Sequence, residues 1–250
     1  MSNPKISIII PVYNHAKSLA QCLQSIKNQN HPLTPSLVKE GGQFSGSEGG
    51  LEVIIVNDGS TDITPEELEL QIQLFNFSTI QLIHQSNLGA PVARNNGFKA
   101  SNGAYVLFCD ADVVMKPDML EKMAKVLDEN PDVSYVYSAF KFGWKKFKLW
   151  EFDAEKLKEM PYIHTTSLMR REHFPGFDPA LKRLQDWDLW LTMLEQGHVG
   201  QWIPEVLFFV KTGGSMSTWL PSFFTKLGIG KQAKKYHESV KAVKLKHHLI

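Results

Sequence analysis

The sequence has few of the features that are typical of proteins from an oxidising compartment, of membrane proteins or of nucleic-acid-binding proteins. Its two cysteines, Cys22 and Cys109, form no CxxC pair, which argues against a disulfide framework or a cysteine zinc site and fits a reducing compartment. No apolar run reaches the about 18 residues of a membrane span, and the apolar run at residues 6–12 is too short for a signal peptide. The formal charge of +1, from 27 basic and 26 acidic residues, excludes a chain that is polycationic throughout. We therefore expect a cytoplasmic protein with no nucleic-acid partner.

Several catalytic motifs are also missing. The sequence contains no HExxH, GxSxG, P-loop or GxGxxG pattern. These absences exclude the usual metalloproteases, serine hydrolases, P-loop NTPases and dinucleotide-dependent oxidoreductases.

What the sequence does contain is a regular alternation of short apolar runs with helical patterns. The predicted strands are apolar at nearly every position, and they fall at residues 6–12, 51–56, 80–84 and 104–109. Helical spacing of apolar residues follows at residues 19–26, 68–75, 92–100 and 119–127. Further on we predict strands at 133–140, 164–169 and 199–210, and a helix at 187–196. This order predicts an α/β fold with a mostly parallel central sheet and helices on both faces.

Two segments depart from this alternation. Residues 33–50 are rich in Pro, Gly, Ser and Gln without periodicity, and we predict a disordered loop insertion there, with a lid as the alternative. Residues 226–250 carry seven lysines and one acid, Glu238. We therefore divide the chain into a catalytic domain at 1–220 and a basic helical tail at 221–250. Such a helix can lie on an anionic membrane or pack on the domain by one face, and both alternatives stay open.

Acidic residues follow two of the predicted strands. Asp58 ends one strand, and Asp110 and Asp112 follow another. In open α/β sheets, ligands bind beyond the carboxyl ends of the strands, so these carboxylates should face one crevice. Asp110 and Asp112 are two residues apart, so in an extended chain their side chains share a side and can bind a hard cation or a ribose. Asp58 also fits a turn before a helix N-cap, which is compatible with ligand binding.

Taken in order, these segments resemble the motif set of glycosyltransferase family 2. The matching runs are IIIPVYN (8–14), NDGSTD (57–62), NLG (87–89), ARNNG (93–97), DAD (110–112), MRRE (169–172), GFD (176–178) and QDWDLW (185–190). The resemblance implies a Rossmann-like GT-A fold. It also implies a metal-dependent, hexosyltransferase-like enzyme that moves a sugar from a nucleotide-diphosphate sugar to an acceptor hydroxyl with inversion.

The resemblance assigns residues to the donor. Pro11, Tyr13 and Asp58 match positions that hold the nucleotide base and ribose, and Arg94 lies in the nucleotide-side segment. Asp110 and Asp112 match the motif that engages ribose and a divalent cation, Mn²⁺ or Mg²⁺, which bridges the diphosphate.

Asp186 matches the general base that deprotonates the acceptor hydroxyl. Gln185 stands where relatives have a first acidic residue, and this removes a charge that could raise the pKa of Asp186. Asp188 competes for the role, but a carboxylate near a helix start is unremarkable, and we favour Asp186.

Four further residues are candidates for contacts with the acceptor or the diphosphate. They are His164, Trp187, Asp188 and Lys211. His164 and Trp187 also fit purely structural roles. Two other departures from the family pattern are Asn57, where relatives have Asp, and Thr212, where relatives often have a metal-binding His.

The expected partners are a UDP-sugar, a carbohydrate or lipid-linked acceptor, and an anionic membrane surface through the tail. The implied role is synthesis of cell-surface polysaccharide, glycan or glycolipid, in the cytoplasm or at the inner face of the membrane. The substitutions at Gln185, Asn57 and Thr212 also allow a catalytically inactive nucleotide-binding or scaffold domain of the same fold. A nucleotidyltransferase would need a basic Gly-rich loop after the first strand, which residues 13–16 do not provide.

Overall fold

The apolar runs of the sequence become the strands of a central sheet. The computed structural model describes residues 5–30, 50–77, 79–211 and 231–250. Its strands are β1 (Ile6–Val12), β2 (Leu51–Asp58), β3 (Ile80–Gln85), β4 (Tyr105–Phe108), β5 (Val113–Met115), β6 (Tyr135–Phe142), β7 (Lys145–Phe147), β8 (Leu168–Arg170) and β9 (Gly200–Val210). Within these residues the strand order is β3-β2-β1-β4-β8-β6-β9-β5, and β7 pairs with the C-terminal end of β6 as a hairpin.

The sheet is parallel in its first half and mixed in its second. Strands β3, β2, β1 and β4 run parallel, as do β6 and β9. Strand β8 joins the two halves by antiparallel pairing to both β4 and β6. Because β2 and β4 lie on opposite sides of β1, the strand order reverses there, which is where open α/β sheets form a crevice.

Helices cover both faces of the sheet, as the sequence predicts. They are α1 (Ala16–Lys27), α2 (Pro65–Gln73), α3 (Ala90–Ala100), α4 (Met119–Glu129), α5 (Ala154–Glu159), α6 (Gln185–Glu195) and α7 (Lys231–Lys246). Strand β1 explains the two layers: Ile8 and Ile10 pack with α1, α2 and α4, whereas Ile9 packs with α3, α5 and α6. Burial on both faces accounts for the uninterrupted apolar sequence of this strand.

One predicted strand differs from the structure, and one pair of residues lies closer than the sequence indicates. The strand predicted at residues 164–169 is reduced to β8, because local hydrogen bonds replace ladder pairing before it: Thr166 N–H donates to Nδ1 of His164, and the Ser167 hydroxyl donates to the His164 carbonyl. Cys22 and Cys109, distant in sequence, lie side by side as free thiols with their Sγ atoms 3.6 Å apart.

The helical tail packs on the domain. Val243 is buried among residues of the α3, α5 and α6 layer, and Lys246 pairs with Asp178 and Asp188 at 2.7 and 2.8 Å. This contact corresponds to the second of the two alternatives for the tail. The predicted insertion, except for Gly50, and residues 221–230 of the tail lie outside the described residues. No helix within the described ranges is long and apolar enough to cross a membrane.

Candidate active site

A cleft of about 410 Å³ opens at the carboxyl ends of β1, β2 and β4. We call it the acidic cleft, because Asp58, Asp110 and Asp112 all line it. Its remaining lining residues are Pro11, Val12, Tyr13, His15, Asn87, Gly89, Ala90, Arg94, Ala111, Phe142, His164 and Val210. Each of these three apolar strands is followed by polar residues at its carboxyl end. The polar residues therefore meet at one edge of the sheet, as expected for this strand order.

Asp58 organises one wall of the acidic cleft. Its buried carboxylate accepts hydrogen bonds from Nε2 of Gln85 at 2.7 Å and from the backbone N–H groups of Leu88 and Gly89 at 2.8 and 2.9 Å. Gly89 has a φ of +92°, which favours glycine at the start of α3. In this structure Asp58 thus holds the loop that leads into α3, and its contact with a nucleoside stays a prediction.

Asp110 and Asp112 lie on a turn after β4. The N–H of Val113 donates to the Asp110 carbonyl at 3.0 Å, so the two carboxylates reach the cleft through a turn and not from the extended chain that the sequence predicts. Burial and the neighbouring charge of Asp110 raise the pKa of Asp112 to about 6. Two carboxylates therefore lie close together on this turn.

The side chain of Arg94, on α3, contacts this turn at Asp110. Its Nη2 lies 2.7 Å from Oδ1 of Asp110, and its Nη1 donates to Oε1 of Gln185 at 2.8 Å. Burial works against ionisation of Asp110, but the Arg94 guanidinium outweighs it and the pKa of Asp110 stays below its usual value. Both terminal nitrogens of the guanidinium therefore already have protein partners.

The chemistry of the donor set fits a hard divalent cation. Asp110 and Asp112 offer oxygen ligands alone, and a cation between them would relieve the repulsion that raises the pKa of Asp112. The described residues contain no group of three or more His, Cys, Asp or Glu side chains arranged to hold a metal. One or two carboxylates suffice for Mg²⁺ when substrate phosphates and water complete its shell. Thr212 lies outside the described residues.

A second cavity of about 320 Å³ adjoins the acidic cleft. We call it the side cavity, and it shares Arg94, Asp110 and His164 with the cleft. Its other lining residues are Thr165, Lys182, Arg183, Leu184, Gln185, Asp186 and Tyr236. Asp112 and Asp186 therefore line adjoining cavities, and the shared residues form the boundary between the two.

Asp186 sits in the first turn of α6. The preceding Leu184 has a φ of +57°, a conformation that costs a non-glycine residue free energy. Burial raises the pKa of Asp186, against the opposing effects of a hydrogen bond from the Trp187 N–H and of the Arg94 charge. Burial therefore raises the pKa of Asp186 although position 185 carries no acidic residue.

His164 borders both cavities. Burial lowers its pKa, so the imidazole is neutral at neutral pH. Because the Thr166 N–H donates to Nδ1, the proton of the neutral ring is on Nε2. The ring can thus donate one hydrogen bond into the site.

Two of the four residues predicted to contact the acceptor or the diphosphate are buried away from both cavities. Trp187 is fully buried, and its indole N–H donates to the Leu157 carbonyl at 2.6 Å. Asp188 is buried on the opposite side of α6 between Lys246 and His247. Helical rotation of about 100° per residue turns both away from the cavity that Asp186 lines. Lys211 stays close to the site, since its N–H donates to the Asp112 carbonyl at 3.0 Å.

Several lining residues were not singled out from the sequence. His15 lies beside Asp112 in the acidic cleft, and Lys182, Arg183 and Tyr236 line the side cavity. His15 directly follows the matched run at residues 8–14, which was a usable signal. Tyr236 had none, because it reaches the cavity only through the docking of α7.

The chain has relatives among curated proteins. It is 36% identical over 134 residues to "Uncharacterized glycosyltransferase YibD" of Escherichia coli K12, which covers 53% of this chain and 33% of that protein. It is 24% identical over 221 residues to an uncharacterized glycosyltransferase of Methanocaldococcus jannaschii, covering 83% of this chain and 70% of that one. The match thus extends over only a third of the Escherichia coli relative.

Solved structures share the fold. TarS 1-349 of S. aureus in complex with UDP superposes with a TM-score of 0.66 at 20% identity, covering 84% of this chain and 61% of that one. The mannosyltransferase PcManGT of Pyrobaculum calidifontis, in complex with GDP-Man and Mn²⁺, gives 0.65 at 16% identity, covering 99% and 76%. The predicted fold class, with its mostly parallel curled sheet, is confirmed as GT-A.

The family is established by the sequence itself. Residues 7–182 match the pattern described as glycosyl transferase family 2. This range includes all of β1 except Ile6, together with β2, β4 and the Asp110–Asp112 turn, although it stops before Asp186. The chain belongs to glycosyltransferase family 2.

Proposed function

We propose that the protein is an inverting glycosyltransferase that moves a sugar from a nucleoside-diphosphate sugar to an acceptor hydroxyl. The observation that carries this proposal is the junction of the two cavities at Asp110, Arg94 and His164. The acidic cleft has the carboxylates for a nucleotide and a cation, and the side cavity has one carboxylate of raised pKa. A donor and an acceptor placed in these cavities would meet at the shared residues.

The donor belongs in the acidic cleft. Pro11, Tyr13 and Asp58 would contact the nucleoside, while Asp110 and Asp112 would hold ribose and a divalent cation. Bound Mn²⁺ or Mg²⁺ would supply positive charge that stabilises the diphosphate as it leaves. The complexes of TarS with UDP and UDP-GlcNAc and of PcManGT with GDP-Man and Mn²⁺ support a donor of this class. We favour a UDP-sugar.

Asp186 would act as the general base in the side cavity. It accepts the proton of the acceptor hydroxyl while that oxygen attacks the anomeric carbon, and the bond from this carbon to the diphosphate oxygen breaks. The diphosphate leaves with the electron pair of the broken bond. Attack from the side cavity on a donor held in the acidic cleft would come from the face opposite the leaving group, which inverts the anomeric centre.

The biological setting follows from the family resemblance alone. The proposed acceptor is a carbohydrate or lipid-linked hydroxyl used in the synthesis of cell-surface polysaccharide, glycan or glycolipid. The proposed location is the cytoplasm or the inner face of the membrane. Attachment of the tail to anionic lipid remains part of this proposal, although the buried face of α7 already packs on the domain.

The test measures binding and turnover separately. UDP-sugars and GDP-sugars are screened by thermal shift with Mn²⁺, Mg²⁺ or a chelator, since a ligand of the native state raises Tm. Release of the nucleoside diphosphate is then measured for the wild type, Asp112→Ala and Asp186→Asn. Asp132→Asn, an exposed acid outside both cavities, is the matched control.

We expect Asp112→Ala to lose metal-dependent donor binding, and Asp186→Asn to bind the donor but turn it over at least about 100-fold more slowly. Unchanged activity in both variants contradicts the assigned roles. Nucleotide binding without turnover of any donor, across a wide acceptor screen, would support the catalytically inactive alternative.

A further inference from the structure

Trp144 is the most exposed large apolar side chain in the described part of the chain, at 88%. It lies in the turn between β6 and β7, where Phe142 pairs with Lys145 and leaves Gly143 and Trp144 as a two-residue loop. Gly143 has a φ of +55° and Trp144 a negative one, as in a type II′ hairpin turn. The turn geometry therefore holds the indole at the tip, away from the core.

Lysines flank this indole in the sequence. Residues 141–148 contain four lysines and no acid, and we call them the basic hairpin. Lys146 and Lys148 are exposed. Nζ of Lys141 lies 5.7 Å from the ring centre of Phe209, and Nζ of Lys145 lies 4.8 Å from that of Phe147. The tip thus combines a solvent-exposed aromatic ring with a local positive charge.

The base of the basic hairpin is packed between aromatic rings and is continuous with the site. The Phe140 ring stacks on Phe147 at 4.8 Å and on Phe208 at 5.2 Å, and it packs against His164 at 5.1 Å. Phe142 lines the acidic cleft, and Gly143 N–H donates to the Val210 carbonyl at 3.0 Å. A surface that receives the tip would therefore lie near the mouth of the cleft.

We propose that the basic hairpin docks on an anionic lipid bilayer, with Trp144 in the interface and the lysines at the headgroups. Transfer of an indole from water to the membrane interface is favourable, because its apolar rings leave water while its N–H keeps polar partners. Lysines near the surface are attracted by anionic headgroups. Charge complementarity favours lipid over a neutral glycan, because the side chains of residues 141–148 include four lysines, which only donate hydrogen bonds, and no amide or carboxylate.

The experiment is co-sedimentation of the full chain with vesicles of phosphatidylcholine alone or of equimolar phosphatidylcholine and phosphatidylglycerol. Quenching of tryptophan fluorescence by brominated lipid reports insertion. We expect binding only with phosphatidylglycerol, lost in Trp144→Ser and weakened about fivefold for each charge removed in Lys146→Gln/Lys148→Gln. Quenching should disappear in Trp144→Phe.

One control variant and one variant of the tail make the result specific. Lys27→Gln/Lys125→Gln removes two exposed lysines on α1 and α4 and should bind as the wild type. Lys234→Gln/Lys235→Gln removes two exposed lysines of α7 and measures the separate contribution of the tail. Equal binding to both kinds of vesicle, or wild-type binding by the basic-hairpin variants, overturns the proposal. The same holds if the α7 variant alone loses binding, or if a soluble oligosaccharide and not the vesicles shifts the Trp144 fluorescence. Circular dichroism confirms that each variant is folded, and no step depends on enzymatic activity.

Discussion

Nη2 of Arg94 lies 2.7 Å from Oδ1 of Asp110, and this ion pair lies where the acidic cleft meets the side cavity. The same guanidinium binds Gln185 at the start of α6. One buried cation therefore connects the turn after β4 with the helix that carries Asp186. The neutral Gln185 completes this network as a hydrogen-bond acceptor, so an acid at position 185 is not needed to hold Arg94.

Replacing Arg94 by lysine should weaken the contacts that hold the walls of both cavities together. A single ammonium lacks the planar fork that reaches Asp110 and Gln185 together. We expect Arg94→Lys to lower the free energy of unfolding by about 1–3 kcal/mol and to weaken donor binding. Urea unfolding and nucleotide-sugar thermal shift measure the two effects. Arg183→Lys, at an exposed arginine of the side cavity, is the control; equal stability of both variants would contradict the bridging role.

The pH dependence of turnover should report Asp186. Burial raises its pKa above the ordinary 3.8, and a base works only when ionised. The rate constant kcat should therefore fall as the pH drops through this raised pKa, at a higher pH than for an exposed carboxylate. The acidic limb of a kcat profile measures it. Asp132→Asn should keep the limb, whereas a limb that persists in the residual activity of Asp186→Asn would assign it to another group.

The sequence predicted the parts of the site that depend on strand ends. Strands buried on both faces are apolar throughout, so β1, β2 and β4 were visible, and sheet topology then placed Asp58 and Asp110 together. Helix faces were harder to predict. Trp187 and Asp186 are neighbours in sequence, and the rotation of α6 alone decides which one lines the side cavity.

Contacts between distant segments could not be predicted. Cys22 and Cys109 lie 87 positions apart in sequence and 3.6 Å apart in space. Tyr236 enters the side cavity because α7 is held by ion pairs of Lys246 and His247 with residues far along the chain. Such pairings have no periodic or compositional signal, so the lysine-rich tail suggested a charged helix without showing where it docks.

Close packing of α3 on the sheet gives a prediction for stability. A Cβ added to Gly97 would collide with Ile9 and press against Val56, two buried and branched side chains that cannot move aside freely. We expect Gly97→Ala to lower the free energy of unfolding by about 1–3 kcal/mol. Gly50→Ala is the matched control, since a Cβ there meets no atom within 4 Å. Chemical denaturation measures both, and equal stability would show that the helix shifts without cost.

Docking of the tail should depend on pH through His247. Its two ring nitrogens lie 2.9 Å from Oδ1 of Asp188 and 2.7 Å from Oε1 of Glu195. Burial lowers the pKa of His247, but the hydrogen bonds to both carboxylates outweigh burial and raise it above the ordinary 6.5. Lys246 and Asp178, which complete the cluster, do not change charge near neutral pH.

Because the folded state binds this proton more tightly than the unfolded chain, the stabilisation is complete below about pH 6.5. It is lost as the pH rises through the raised pKa of folded His247. We therefore expect Tm to decrease over this window in the wild type, and the decrease to vanish in His247→Gln, which is also less stable at acidic pH. His248→Gln, at the exposed neighbouring histidine, should behave as the wild type. The same slope of Tm against pH in all three proteins would show that the cluster does not hold α7 through a charged imidazole.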